Sequence, residues 1–144
     1  MTSKDEQKRY RLEVSQFSFT PTPDLALIPN KPVKYNERYP IVEKVSGGLF
    51  EELTVVSTSK FTELIITEDE TEDSYILEYM WKLGLVMPVN GDYWVGMYDD
   101  DLKLYSIKFH ANPPKRFNKL KITVRNIGSD EMKFAYKYRI YNEI

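Results

Sequence analysis

The chain has 144 residues, a formal net charge of −2, one histidine and no cysteine. This length suits one domain with a substantial core, and the lack of cysteine excludes disulfides and thiolate metal sites. Because His110 is the only histidine, nearly every zinc site is excluded too, as is any catalytic dyad that needs two imidazoles.

Charge is distributed unevenly along the chain, and aromatic residues are abundant. Residues 45–101 carry 2 basic and 13 acidic side chains, whereas residues 102–144 carry 10 basic and 3 acidic ones. This charge split predicts either opposite faces that meet on neighbouring copies, or acidic and basic strands that pair within one sheet. The 11 tyrosines and 7 phenylalanines favour pleated strands, so we expect an all-β protein. A charged amino terminus and the lack of an apolar run of about 20 residues predict no secretion signal and no membrane insertion.

Residues 1–36 differ from the rest of the chain because they combine prolines with large apolar side chains. Four prolines lie within twelve residues. Each removes a backbone donor and holds φ at about −65°. The large apolar residues of this segment are Phe17, Phe19, Leu25, Leu27 and Ile28. We predict an extended N-terminal arm at residues 1–36, which lies on its own domain or on a neighbouring copy, followed by a β-sandwich domain at residues 37–144.

Short strand-like runs separated by turn residues begin near Pro40 and continue to the end of the chain. We expect the acidic residues 68–73 to be a solvated loop, and residues 112–116 to be another, because two prolines there cannot donate to a sheet. The clearest runs are residues 49–58, 61–67, 102–110, 120–124 and 134–140. This pattern predicts a single antiparallel β-sandwich of about eight strands, jelly-roll-like and joined mostly by hairpins.

Residues 75–84, with the sequence YILEYMWKLG, fit two different structures. As a strand, they alternate large apolar residues with Glu78 and Lys82. As a short helix, they place Glu78 and Lys82 four residues apart as an ion pair, and Gly84 ends the helix. We favour the strand because the tyrosine, isoleucine and tryptophan content suits a pleated surface.

The dipeptide Asn90-Gly91 lies between the apolar runs 86–89 and 93–95, and this arrangement is a strong hairpin signal because both residues tolerate positive φ. On the strand that follows, alternation places Trp94 and Tyr98 on one face and Tyr93 on the other. Residues 99–101, three consecutive aspartates, are then expected to form a solvated tip.

Two kinds of binding site are candidates on this stretch. Trp81, Trp94 and Tyr98 would form an exposed platform for a sugar ring if they face outward, and part of the core if they face inward. Asp99 and Asp101 carry the oxygen ligands that Ca²⁺ prefers, but neighbouring residues on an extended chain point to opposite sides. A solvated turn is therefore the stronger interpretation, and we predict no metal and no cofactor.

The sequence contains no motif for a known type of catalysis. No serine lies in a G-x-S-x-G turn, and neither a Walker A loop nor a G-x-G-x-x-G loop occurs. The negative net charge and the acidic segments of the same domain argue against a nucleic-acid partner. We therefore expect a protein that is not an enzyme and does not bind nucleic acid.

The succession KFTELIITEDE, GDYWVGMYDDDLKLYSIKF and NKLKITVRNIGSDEMKFAYKYRIY resembles small β-sandwich modules of virion components. These include decoration, spike and tail-associated proteins of bacterial and archaeal viruses. The resemblance covers residues 45–141 and rests on strand rhythm and the KLKITVRNIG turn pattern, so no binding residue is carried over from it. It implies a non-enzymatic structural protein, located in a virion or the cytoplasm, that docks on copies of itself or on other particle subunits through its arm and charged faces.

Two alternatives stay open. Sugar-binding sandwiches share the same strand rhythm, so the second hypothesis is a carbohydrate- or receptor-binding module whose partner is a glycan or a cell-surface receptor. The third is a regulatory β domain that binds a partner strand at an open sheet edge.

Overall fold

The computed structural model of the chain describes residues 9–15 and 33–144. These residues form two antiparallel sheets, one of five strands in the order β1-β9-β3-β7-β6 and one of four strands in the order β2-β8-β4-β5. The prediction of an all-β sandwich is confirmed. The elements are β1 (Tyr10–Val14), β2 (Arg38–Lys44), β3 (Gly48–Ser57), β4 (Thr62–Glu68), β5 (Thr71–Ile76), α1 (Leu77–Lys82), β6 (Tyr93–Asp99), β7 (Leu104–Phe117), β8 (Leu120–Asn126) and β9 (Phe134–Glu143).

The order of the strands is that of a jelly roll. Among the nine described strands, only β4 with β5 and β6 with β7 are consecutive neighbours in one sheet, and all other consecutive strands lie in opposite sheets. The expectation that hairpins make most of the connections is therefore wrong. With β6 regarded as an added edge strand, four strands face four in the double Greek-key arrangement of jelly rolls.

The core fills the space between the two sheets. Phe50 of β3 and Phe109 of β7 stack with ring centroids 4.6 Å apart, and both are almost completely buried. The four-stranded sheet contributes Leu64 and Ile122, which are 0% exposed. Burial of each such side chain contributes about 1.5–3 kcal/mol, because it removes apolar surface from water.

Residues 71–73 belong to an edge strand, so the predicted acidic loop is too long. Strand β4 ends at Glu68, and β5 begins at Thr71 after a tight turn in which Asp69 has a φ of 56°. Charged side chains are compatible with this position because β5 is at the edge of its sheet, where charges discourage pairing with another chain.

The predicted loop at residues 112–116 lies inside strand β7. The pairing with β3 runs from Glu52 opposite His110 to Phe50 opposite Lys115. Four residues of β7, including both prolines, therefore stand opposite Glu51 alone. Proline is accommodated there because a bulge leaves backbone groups outside the hydrogen-bond ladder. The strand continues to Phe117 in spite of the missing donors.

Residues 77–82 form a helix, so the preferred strand assignment is wrong and the alternative of a short helix is correct for them. Helix α1 buries Leu77 and Met80, which are three residues apart and share one helical face. Gly84 follows the helix with a φ of 76°, and its N–H donates to the carbonyl of Trp81 at 3.0 Å. The N–H of Leu85 donates to Met80 at 3.0 Å, which completes the glycine-dependent end of the helix.

The charge split is explained in part by ion pairs within the fold. Three of them join a carboxylate of residues 45–101 to a cation of residues 102–144. These are Glu51–Arg139 at 3.4 Å, Glu63–Arg125 at 3.2 Å and Glu68–Lys115 at 2.8 Å. The first two pairs support the interpretation in which acidic and basic strands pair within one sheet, whereas Glu68–Lys115 joins the two sheets.

The part of the predicted arm that the structure describes includes a strand of the sandwich. Residues Tyr10–Val14 form β1 and pair with β9 along the edge of the five-stranded sheet. The five apolar arm residues, Phe17, Phe19, Leu25, Leu27 and Ile28, lie outside the described residues. Within the described ranges, no helix has the length and apolar character needed to span a membrane.

Candidate functional site

A bulge in β6 decides which way its aromatic residues face. Val95 pairs with Ile107, but the next pair is Met97 with Ser106, so Gly96 is an extra residue. The bulge inverts the alternation, and Tyr98 therefore faces the core side while Trp94 faces outward. The prediction that Trp94 and Tyr98 share a face is wrong for this reason.

Side chains of β7 pass close to Gly96 at the bulge, so a larger residue there would have to displace them. A Cβ atom added to Gly96 would lie 2.8 Å from the Lys108 stem and 2.9 Å from the Ser106 hydroxyl. The alkyl chain of Lys108 therefore covers Gly96 on the outer face of the sheet. This contact between strands is absent from any pattern along β6 alone.

Trp94 lines an open groove on the outer face of the five-stranded sheet, which we call the Trp94 groove. Its volume is about 560 Å³. Trp94, Lys108 and Thr54 form one row across β6, β7 and β3, since each is paired with the next. Glu52 and His110 form the following row, and Pro88, Val89 and Asn90 form a wall beside β6.

The wall of the groove is attached to β7 by the side chain of Asn90. Its Nδ2 donates to the carbonyl of Asn112 at 2.8 Å, and its Oδ1 accepts the N–H of Asn112 at 2.7 Å. The N–H of Gly91 donates to the carbonyl of His110 at 2.8 Å. Asn90 thus supplies the two hydrogen bonds that a neighbouring strand residue would make.

The predicted turn at Asn90-Gly91 is present, but it does not join two strands. Gly91 has a φ of 82°, and the N–H of Asp92 donates to the carbonyl of Val89 at 3.0 Å. Residues 86–89 form no strand, so the predicted hairpin is wrong. The turn signal was correct locally, whereas the partner of this turn is β7, which lies some 20 residues further along the chain.

Three charged or titratable side chains of the groove are not used by the fold. Glu52, Lys108 and His110 make no side-chain hydrogen bond or ion pair to the part of the chain that the structure describes. They offer an acceptor, a donor and an imidazole that can do either. Beside the indole of Trp94, they are free to bond to a ligand.

Trp81 and Tyr98, the other two predicted binding residues, lie together in a different place. Their rings stack with centroids 4.3 Å apart and an interplanar angle of 7°. The hydroxyl of Tyr98 donates to Glu78 at 2.8 Å. Neither aromatic residue lines the Trp94 groove. This pair fastens α1 onto β6.

Ionisable groups around this aromatic pair stabilise one another. Burial and the hydrogen bond to Glu78 raise the pKa of Tyr98, so its hydroxyl stays protonated and remains a donor. Lys60 lies 3.8 Å from the Glu78 carboxylate and 3.6 Å from the Asp100 carboxylate. The hydrogen bond from Tyr105, at 2.6 Å, lowers the pKa of Asp100. The polar groups of this cluster therefore bond to one another.

The acidic tip is organised by its own carboxylates. Asp99 Oδ1 accepts the N–H groups of Asp101 and Leu102 at 3.0 and 2.9 Å. The carboxylate of Asp99 therefore closes the turn. Within residues 9–15 and 33–144, no group of three or more His, Cys, Asp or Glu side chains is placed to hold a metal ion.

Residues 79–89, which we call the apolar segment, expose large apolar side chains in close succession. Leu83 is 75% exposed and Met87 is 70% exposed. The seven exposed members are Tyr79, Trp81, Leu83, Leu85, Val86, Met87 and Val89. They are half of the fourteen exposed large hydrophobic residues in the described chain. Sequence reasoning missed this surface because dense apolar residues predicted buried strands.

The Trp94 groove and the apolar segment are neighbours, since Val89 belongs to both. Together they occupy the β6 edge of the five-stranded sheet. Both include side chains that are exposed or have no hydrogen-bond partner among the described residues. No protein-family model matches this chain, and comparison with curated proteins finds no match either.

Proposed function

We propose that the protein is a non-enzymatic structural or interaction protein that docks on a partner through its apolar segment. The observation that carries this proposal is the exposure of seven large apolar side chains within eleven consecutive residues. Contiguous exposed apolar patches are uncommon on monomeric proteins and mark contact surfaces. Removal of this surface from water on docking contributes about 25 cal/mol per Å².

Backbone hydrogen bonds hold the apolar segment in one conformation, which supports the same proposal. The N–H of Val95 donates to the carbonyl of Leu85 at 2.7 Å. At its other end, the segment continues into the Asn90 contact with Asn112. A surface that is already ordered loses little conformational entropy on binding, so more of the burial energy is available for affinity.

The partner in this proposal is a second copy of the chain or another subunit of a larger particle. A virion is the particle that the sequence resemblance implies, and jelly rolls occur in viral capsid domains. The Pro-rich arm adds apolar contacts to this docking. The charged faces have a smaller role, because three ion pairs already use their charges inside the domain.

Substitution of two exposed residues tests the proposal. We expect the wild-type chain to form oligomers, and the double variant Leu83→Lys with Met87→Lys to be monomeric, in light scattering after size exclusion. The matched control is Leu102→Lys, because Leu102 is 69% exposed but belongs to the β6–β7 turn. The proposal is refuted if the wild-type chain stays monomeric up to high concentration and also fails to bind to the particle.

A separate variant tests the arm. Replacement of residues 16–32 by a glycine and serine linker of equal length keeps β1 in place. If the arm takes part in docking, the oligomers of this variant should dissociate at a higher protein concentration than those of the wild-type chain. An unchanged dissociation profile would remove the arm from the proposal and leave the apolar segment as the docking surface.

A second candidate function is a carbohydrate- or receptor-binding module, and the outward orientation of Trp94 in an open groove favours it. Jelly rolls also occur among lectins, so the architecture is compatible with this function as well. The binding residue on which it depends is Trp94, whereas Trp81 and Tyr98 lie outside the groove.

A further inference from the structure

The Trp94 groove combines one aromatic face with unused polar side chains. Trp94, Lys108 and Thr54 lie side by side on three strands. Neighbouring strands are about 4.8 Å apart, so groups on adjacent strands can contact one ring and its substituents at the same time. An indole packs against the C–H face of a sugar ring, while the flanking groups reach the ring hydroxyls.

The charges of the groove indicate which ligands suit it. Glu52 contributes a carboxylate and Lys108 an ammonium group, and neither has an ion-pair partner among the described residues. Because the two opposite charges line the same groove, a charged ligand that is attracted by one of them is repelled by the other. A neutral ligand with many hydroxyl groups satisfies both, because each hydroxyl can donate to a carboxylate and accept from an ammonium group.

The groove is also built to keep its shape. The regular pairing of Trp94 with Lys108 sets the direction of Trp94, and the paired hydrogen bonds of Asn90 to Asn112 hold the wall. Its volume of about 560 Å³ lies within the range of small-ligand sites, roughly 300–1,000 Å³.

From this geometry we infer that the Trp94 groove binds a neutral saccharide, with the indole of Trp94 stacked on one sugar ring and Glu52, Lys108 and His110 bonded to its hydroxyls. This inference rests on the second candidate function and names its ligand class. It does not depend on docking through the apolar segment. Trp81 has no part in it, because its ring stacks on Tyr98.

Binding to an array of neutral and acidic oligosaccharides tests the inference. We expect the wild-type chain to bind at least one neutral oligosaccharide, and not to bind acidic oligosaccharides alone. The variant Trp94→Ala should lose at least about tenfold in affinity, as expected for an aromatic residue at the centre of a contact. Trp81→Ala, the matched control, should bind within about twofold of the wild-type chain. Thermal unfolding of each variant checks that it is folded.

Fluorescence identifies the residue in contact with the sugar. Trp81 and Trp94 are the only tryptophans, so in Trp81→Phe all indole emission comes from Trp94. Addition of the bound oligosaccharide should shift this emission, and the same addition to Trp94→Phe should leave the emission of Trp81 unchanged. Glu52→Gln and Lys108→Met should each weaken binding several-fold without a change in fold.

The possible failures separate the ligand class from the function. If only acidic glycans bind and Trp94→Ala abolishes that binding, the neutral saccharide is wrong but the second candidate function is kept. If no glycan binds, or if Trp94→Ala binds as tightly as the wild-type chain, both the inference and the groove as a sugar site are overturned. Light scattering of the apolar-segment variants reports on docking independently of these results.

Discussion

The two edges of the five-stranded sheet differ in how completely their side chains are used. At the β1 edge, the carboxylate of Glu13 accepts three hydrogen bonds. The donors are Lys44 Nζ at 2.8 Å, the hydroxyl of Tyr138 at 2.8 Å and Asn142 Nδ2 at 2.9 Å. Because Lys44 belongs to β2, this network ties one sheet to the other. At the β1 edge, the Glu13 carboxylate is thus fully used by hydrogen bonds within the fold.

Toward the β6 edge, on the outer face of β3 and β7 and in the segment that precedes β6, polar and apolar side chains are left without partners in the described part of the chain. Glu52, Lys108 and His110 have no side-chain partner among the described residues, and the apolar segment exposes seven large hydrophobic groups. Clustered exposed hydrophobic groups are uncommon on monomeric proteins, and the three polar groups are accessible to solvent, so a ligand could replace the water bonded to them. The difference is that side chains at the β1 edge bond to one another within the fold, whereas those near the β6 edge are exposed or have no hydrogen-bond partner among the described residues.

The largest effect is expected for a buried residue at the start of the β6 edge. Leu77→Ala should lower the free energy of unfolding by about 2–5 kcal/mol, because it leaves a cavity under α1. Leu77 is 1% exposed, whereas Leu83, six residues later, is 75% exposed. Leu83→Ala should therefore change stability by less than about 0.5 kcal/mol. Urea unfolding measures both variants, and equal losses would contradict the distinction between them.

A smaller effect is expected where α1 ends and the apolar segment turns. Gly84 has a φ of 76°, and an added Cβ would meet nothing within 4 Å, so only backbone strain opposes substitution. Gly84→Ala should cost about 1–2 kcal/mol, while Gly84→Asn should cost less, because asparagine tolerates this conformation. Thermal unfolding compares the two variants. An alanine variant as stable as the wild-type chain would show that the helix end can rearrange.

The wall of the groove gives the next prediction. Asn90→Ala removes both hydrogen bonds to Asn112 and should cost about 1 kcal/mol, since these bonds are exposed to water. Hydrogen exchange of the Gly91 and Asn112 amides should accelerate in this variant, while the amides of β3 keep their protection. Asn118→Ala is the control, because Asn118 is also exposed and only its backbone N–H is bonded. Unchanged exchange at Asn112 would show that Asn90 does not hold the wall.

The smallest effect is expected at the β1 edge, and it depends on pH. The hydrogen bond from Lys44 contributes most to lowering the pKa of Glu13 below 4.5. A lowered folded pKa means that the stabilisation is present above the unfolded pKa and is lost as pH falls through the folded one. At pH 7, Glu13→Gln should be less stable than the wild-type chain by at most about 1 kcal/mol, because this side chain is partly exposed. On acidification, the variant should lose less stability than the wild-type chain does.

Urea unfolding at pH 7 and at pH 3 measures the Glu13 effect, with Glu131→Gln as the control. Glu131 is exposed and makes no side-chain hydrogen bond or ion pair within the described residues. The difference between Glu13→Gln and the wild-type chain should shrink at the lower pH. If it stays constant, the Glu13 network contributes nothing that depends on its charge.

Much of the sandwich could be predicted because most of its strands have a recognisable local sequence pattern. The alternation in residues 120–124 and 134–140 corresponds to β8 and β9, and residues 49–58 correspond to β3. One face of each of these strands is buried, so apolar and polar residues alternate along its sequence. The edge strand β5 and the helix α1 were mistaken, because an edge strand tolerates charges and six residues are too few for helical periodicity to be read.

The sequence predicted only part of the candidate site, because the contacts that form the site join residues that are distant in the chain. Trp94 was among the expected binding residues, but the sequence also grouped it with Trp81 and Tyr98. At the bulge, Gly96 lies against the stem of Lys108, which comes from β7. Likewise, the partner of Asn90 is Asn112, more than 20 residues away. Neither contact has a signature in the residues next to it.

The sequence by itself determined the all-β class, the position of most strands and the turn at Asn90-Gly91, because these follow from alternation and from local backbone preferences. Only the tertiary structure decided the crossing order of the strands, the outward orientation of Trp94 and the exposure of the apolar segment. These three features depend on which distant strand lies beside each residue. Burial is a property of such neighbours, so an apolar side chain reveals whether it is core or contact surface only once the sheets are assembled.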